Sequence, residues 1–124
     1  MQCVVLDCPD PAALAGFYRA ILGGVVNRAD ARWSTSPAYT TLHTAAGLVL
    51  AFQRVPGYQS PRWPDPAFAQ QSHLDIEVPD LEAARETATR QGATLLRCDG
   101  RGWLILADPA GHPFCLLPGR RPPA

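Results

Sequence analysis

The chain contains itself twice. Residues 71–96, QSHLDIEVPDLEAARETATRQGATLL, follow the plan of an earlier stretch, CVVLDCPDPAALAGFYRAILGG from Cys3. Laid together without gaps at an offset of seventy residues, Pro9-Asp10 falls on Pro79-Asp80, Cys3 on His73, Ala13 on Ala83 and Leu14 on Ala84. A duplicated unit restricts the fold severely, because whatever the first copy builds the second builds again.

Each copy alternates before its turn and then changes period. Leu74, Ile76 and Val78 fall on one side and His73, Asp75 and Glu77 on the other, the two-residue period of a half-buried strand. In the first copy Val4 and Leu6 oppose Cys3, Val5 and Asp7. After the turn, Asp80 is placed as an N-cap, and Leu81, Ala84 and Ala88 form a helical stripe that ends at Gly92. Asp10 caps the first helix in the same way. Pro11 takes its first position, and Leu14, Phe17, Tyr18, Ile21 and Leu22 form its stripe up to Gly23-Gly24.

Further along, residues 24–28 and 38–43 read as strands flanking a polar stretch at 29–37, and residues 47–55, GLVLAFQRV, as a third. Residues 56–70 carry four prolines and read as a linker without regular structure, holding Tyr58, Trp63 and Phe68. Those rings suit a clamp of the loop onto its own domain, with a lid or a dimer contact through Trp63 and Phe68 as the other reading. The second copy closes with strands at 93–98, 102–107 and 113–117, a turn at 108–111 and a tail from 119. In this half Gly47 aligns with Gly111, and so Ala51 with Cys115 and Phe52 with Leu116. Each unit is therefore strand, helix, strand, strand, strand. Three strands after one helix exclude a doubly wound parallel sheet and give an α+β fold. The strand parity assigns Leu14, Phe17, Leu22, Leu48, Leu50, Phe52, Leu74, Ile76, Val78, Phe114 and Leu116 to the helix side.

At 124 residues, 47% hydrophobic and with formal net charge zero, the chain suits one domain with a real core and has no basic field for nucleic acid or a membrane surface. No apolar run approaches the ~20 residues of a membrane helix, and Met1 adjoins the first strand, so a cytoplasmic location is expected. Cys3, Cys8, Cys98 and Cys115 show no CxxC pairing and are expected as small buried or half-buried free thiols. His43, next to Leu42 at a strand end, suits either solvent or an interior face; His112, between a turn glycine and Pro113, occupies what is normally a solvated loop tip, and a structural role is expected of it. Neither belongs to a nucleophile motif.

The duplicated βαβββ pattern, Phe17-Tyr18 with Leu22-Gly23 closing the first helix, HLDIEV before PDLEAA, and DPAGHPFCLL near the end resemble the glyoxalase/bleomycin-resistance/extradiol-dioxygenase superfamily. The resemblance spans almost the whole chain. It implies two tandem units (1–55 and 71–118, joined by 56–70) whose strands form a half-open mixed barrel with the helices outside. It also implies metal ligands on the first and last strands of both units, which here are Cys3, Ala51, His73 and Cys115. Family ligands are His, Glu or Gln, so Ala51 removes a donor and two positions carry thiols instead.

No metal is therefore expected; if one binds, Cys3, His73 and Cys115 make a Cys2His zinc site with an open position. Strand parity puts Asp7, Asp75 and Glu77 on the side of His73, where a carboxylate could act as a base or simply meet backbone amides and arginines. The resulting expectation is a protein that binds a small organic molecule through Cys3, Asp7, Ala51, Trp63, His73, Asp75, Trp103 and Cys115, with Trp33 as a further stacking surface. A lyase, isomerase or dioxygenase using zinc is the first alternative, and a structural or regulatory dimer with a vestigial cavity the second. A homodimer is expected because a half-open barrel leaves strand edges to cover.

Overall fold

Both copies of the repeat build the same sheet. In the computed structural model, which describes residues 1–120, the first copy runs β1 (Val4–Cys8), α1 (Pro11–Leu22), β2 (Val25–Val26), β3 (Tyr39–His43) and β4 (Val49–Arg54). The second runs β5 (Leu74–Val78), α2 (Leu81–Arg90), β6 (Thr94–Cys98), β7 (Leu104–Ala107) and β8 (Pro113–Pro118). The strand orders are β1-β4-β3-β2 and β5-β8-β7-β6, so the first and last strands of each unit are neighbours. Those pairs, at one edge of each sheet, are parallel and the remaining pairs antiparallel, which makes each unit an open, mixed α+β sheet. The repeat and the fold class read from sequence are those observed.

The turns explain themselves chemically. The Asp10 carboxylate accepts from the Ala13 amide at 3.1 Å and the Asp80 carboxylate from the Ala83 amide at 3.0 Å, each capping from an extended backbone. α1 stops at Gly23, whose amide donates to the Arg19 carbonyl at 2.8 Å. Gly24 follows with φ of +104°, and a Cβ there would collide with the His43 carbonyl, so only glycine passes.

In the first unit Leu14, Phe17 and Tyr18 of α1 are buried with Leu42, Leu50 and Phe52 of the sheet. Tyr18 stacks on Phe52 with centroids 5.8 Å apart and meets Phe17 edge-on at 5.0 Å. Burying each such side chain contributes about 1.5–3 kcal/mol. The second unit buries Ile76, Val78, Leu104, Leu106, Phe114 and Leu116, but α2 contributes only Ala88.

Several expectations need correcting. Leu48 is 67% exposed, because the Thr44 amide and hydroxyl both bond to the Leu48 carbonyl and Gly47 closes a turn there; β4 begins one residue later. Leu22 and Leu74 are half-buried, and the other residues assigned to the helix side are buried. The strand expected at 24–28 shrinks to two residues, since the Asn27 side chain takes over the pairing with the Thr41 amide at 2.9 Å. Cys98 is exposed rather than half-buried, lying on β6 with only antiparallel β7 beside it.

The proline-rich stretch is not wholly irregular, as Asp65 caps a short 3-10 turn at Pro66–Phe68. Nor does it all lie outside the units. The chain divides into compact units at Met1–Gln59 and from Ser60 onward, with Arg97 over Trp63 and Arg62 over Phe68 fixing those rings in the second unit. Most of the tail read from residue 119 lies outside the described residues. Among the described residues no helix is long and apolar enough to cross a membrane.

Candidate functional site

On the second unit's sheet, the face away from the buried core carries the chemistry. Parallel pairing sets Asp75 against Cys115, and antiparallel pairing sets Cys115 against Ile105, so one row crosses three strands. His73 stands two residues before Asp75 on the same face. Its Nε2 lies 3.5 Å from Asp75 Oδ1, with both side chains about half exposed. One ligand atom from each of His73, Asp75 and Cys115 falls within 4.8 Å of the others. Burial, reinforced by the neighbouring Asp75 carboxylate that accepts its S–H, pushes the Cys115 thiol up to about 11. At neutral pH Cys115 is a proton donor to Asp75, not a nucleophile.

A cavity of about 130 Å³ adjoins this trio, lined by Trp63, Gln70, His73, Ile105, Pro113 and Cys115. Trp63 supplies a flat wall whose ring lies 4.8 Å from the Arg97 guanidinium carbon. Gln70 presents a buried amide oxygen without a hydrogen-bond partner. Sequence reasoning missed Gln70, since nothing in a proline-rich stretch marks one glutamine as buried. His112 has a structural role, as expected: the buried Asp108 carboxylate meets its ring Nδ1 at 2.8 Å and accepts from the Ala110 and His112 amides. It closes the turn into β8. Glu77 accepts from the Arg120 amide at 3.1 Å, a structural use of that carboxylate.

The first unit has a different face. Its matching row is Val5, Ala51 and Thr41, with Ala51 fully buried and offering no donor atom. Cys3 is half-buried beside Tyr39, whose phenol is pushed above its ordinary value by burial and by that thiol. Both residues line a second cavity, of about 370 Å³, with Gln2, Arg32, Trp33 and Ser34. Asp7 is exposed opposite Gln53, and Trp103 is 37% exposed at the start of β7; neither belongs to the lining of either cavity. His43, open to two readings from sequence, is buried.

The positions carried over from the resemblance thus separate by unit: Cys3 and Ala51 lie in the first, His73 and Cys115 in the second. The four-donor centre that resemblance implies does not fit these residues, because Ala51 has nothing to bind with. The second unit's trio does offer nitrogen, oxygen and sulfur donors, a set suited to zinc.

Residues 3–117 match the glyoxalase-like domain family. No curated protein matches the chain. Among solved structures, a fosfomycin resistance protein from Listeria monocytogenes, complexed with Mn(II) and sulfate, is similar with a TM-score of 0.71 at 15% identity, over 97% of this chain and 90% of that one. A glyoxalase/bleomycin resistance protein/dioxygenase family enzyme from Burkholderia phytofirmans gives 0.68 at 16% identity, over 96% and 98%. A possible glyoxalase from Bacillus cereus gives 0.67 at 12% identity, over 94% and 96%. At such identities the likeness is one of fold. Matched over nearly its whole length, the chain belongs to the glyoxalase-like domain family, within the glyoxalase/bleomycin-resistance/dioxygenase superfamily that its repeat resembles.

Proposed function

We propose that the protein binds a small organic molecule at the second unit's cavity without a family-type metal centre. The carrying observation is Gln70, a buried acceptor with no partner in a cavity walled by Trp63. Such an atom is costly unless something donates to it, and a hydroxyl or amine on a ring stacked over Trp63 meets both requirements. His73 and Asp75 supply the polar edge, while Cys115 stays protonated and donates its S–H to the Asp75 carboxylate. Binding in a cytoplasmic setting suits free thiols.

A thermal-shift screen followed by calorimetry tests this. Trp63→Ala and Gln70→Ala should each weaken the best ligand by about tenfold, the loss of one stacking contact or one buried hydrogen bond. Unchanged affinity in both variants would overturn the reading.

The spacing of His73, Asp75 and Cys115 favours a second reading, zinc held by three protein donors with one position open. Bound there, zinc would polarise a carbonyl or acidify a water, the chemistry of a lyase or isomerase. Mn(II), named for the Listeria relative, prefers oxygen and nitrogen donors and suits a thiol poorly. One equivalent of zinc retained through dialysis, and lost on Cys115→Ser, would establish this reading over the first.

The homodimer belongs to the proposal as well. Val5, Val25, Leu48, Leu96 and Trp103 are large apolar side chains left exposed, which supports association. A monomer by sedimentation at tens of micromolar, where an ordinary specific interface persists, would remove it.

A further inference from the structure

The first unit holds a cluster of buried polar atoms that nothing in the fold satisfies. Strand parity puts Thr41 and His43 on the same face of β3, about 7 Å apart along the strand. The connection from β2 carries Trp33 back over that face, edge-on to the His43 ring with centroids 5.1 Å apart. Thr41 Oγ1, both His43 ring nitrogens and Trp33 Nε1 are buried without a hydrogen-bond partner. Thr41 is 0% and His43 5% exposed. Native interiors leave few such atoms, so four in one cluster mark a place where a polar occupant belongs.

The chemistry of the cluster selects the occupant. The indole offers only a donor, the hydroxyl a donor and two lone pairs, and a neutral imidazole one donor and one lone pair. Three N–H or O–H donors thus converge there, and the indole can be satisfied only by an acceptor. The charges around them lean the same way. Asp30 is already taken by Arg32, which reaches its two carboxylate oxygens at 3.0 and 2.7 Å. Among the described residues Arg28 has no ion-pair partner, and it acts on His43 as a nearby positive charge. Burial first, then Arg28 and Arg32, hold His43 below its ordinary value against the opposing pull of Asp30, so the ring is neutral and the local field positive. The Trp33 that closes the cluster also lines the 370 Å³ cavity, which has room for the body of a small molecule.

We infer that Trp33, Thr41 and His43 form a binding site for the carboxylate of a small organic acid, with Arg28 supplying the unpaired positive charge. The site stands apart in its residues from the Trp63 and Gln70 pocket, and either reading can fail alone.

Benzoate and its neutral counterpart benzamide are the probes, and the indole N–H resonances of Trp33, Trp63 and Trp103 in the full chain, assigned by single Trp→Phe variants, are the readout. Benzoate should move the Trp33 resonance saturably and bind at least about tenfold more tightly than benzamide, as a charge-assisted hydrogen bond requires. Thr41→Val, which keeps the shape and removes the hydroxyl, should weaken benzoate by about tenfold. Arg28→Gln should weaken it and flatten its salt dependence. Bound benzoate should also raise the His43 titration midpoint, since an anion stabilises the imidazolium. No saturable movement of Trp33, or equal movement with benzoate and benzamide in the unmodified protein, overturns the inference, including the case in which water alone fills the cluster. Movement of Trp63 without Trp33 overturns it while leaving the second unit's pocket standing.

Discussion

The two units share a topology and divide their chemistry. The first packs Phe17 and Tyr18 of its helix on Phe52 and buries Ala51, Thr41 and His43 on the opposite face, so both faces of its central strands are covered. The second buries a single alanine from α2, whose Glu82, Arg85 and Glu86 stay outside the core, and leaves His73 and Asp75 about half exposed on the opposite face. Duplication supplied the same scaffold twice. One copy holds its polar groups inside, and the other presents them at an accessible cavity.

That contrast predicts unequal sensitivity of the two cores. Phe52→Ala removes a ring fully buried against Tyr18 and should cost about 3–5 kcal/mol, whereas Leu81→Ala, on the half-buried stripe of α2, should cost no more than about 1 kcal/mol. Ile76→Ala, on the buried sheet side of the second unit, should cost about 2–4 kcal/mol. Chemical denaturation measures all three. Losses at Leu81 as large as at Phe52 would show that α2 anchors its unit as firmly as α1 does, and the contrast would fail.

The contrast was only partly visible in the sequence. Strand alternation and the Asp caps located the repeated elements, because both are local and appear in both copies. Leu48 was misread because the alternation of residues 47–55 runs on through a turn that hydrogen bonds alone define. The repeat pairs Cys3 with His73 and Ala51 with Cys115 from sequence alone, yet Thr41 and Gln70 escaped, and His43 and Trp33 were named without their burial or their contact with each other. Their burial depends on where two irregular connections fold back, and residues 29–37 and 56–70 carry no periodicity to say so. Asp75 was legible from parity alone, since it shares its face with His73.

Thiol chemistry sharpens the comparison at the next level. An ordinary thiol titrates near 9.0 and Cys115 near 11, so at pH 8 its thiolate fraction is about a hundredfold smaller. Its alkylation by iodoacetamide should lag an ordinary exposed thiol by at least that factor, and Asp75→Ala should recover part of the lag, burial accounting for the rest. The sign for stability follows: a raised folded pKa favours the protonated native state, so this contribution is complete below pH 9 and is lost as pH climbs toward 11. Rapid modification of Cys115 at pH 8 would mean that Asp75 does not hold its proton, and the zinc reading would gain. Mass mapping of the four cysteines gives the answer, with exposed Cys98 as the internal control.

The smallest effect tests the symmetry itself. Asp10 and Asp80 sit at equivalent turns, cap through the same carboxylate-to-third-residue bond, and differ by only 0.1 Å in length, 3.1 against 3.0 Å. An N-cap of this kind contributes about 0.5–2 kcal/mol, and its value depends on the first turn of its own helix more than on the distant core. Asp10→Ala and Asp80→Ala should therefore cost the same within about 0.5 kcal/mol, although the helices they cap bury very different faces. Besides Pro11, which opens α1 where α2 has Leu81, the caps differ in Glu82, which adds a negative charge to the first turn of α2 and has no counterpart in α1. It partly replaces the lost Asp80 charge at the helix dipole, so any inequality should make Asp80→Ala the milder change. A larger loss at Asp80 would show that the second unit, with its thin helix core, relies on its cap for stability that the first unit draws from aromatic packing.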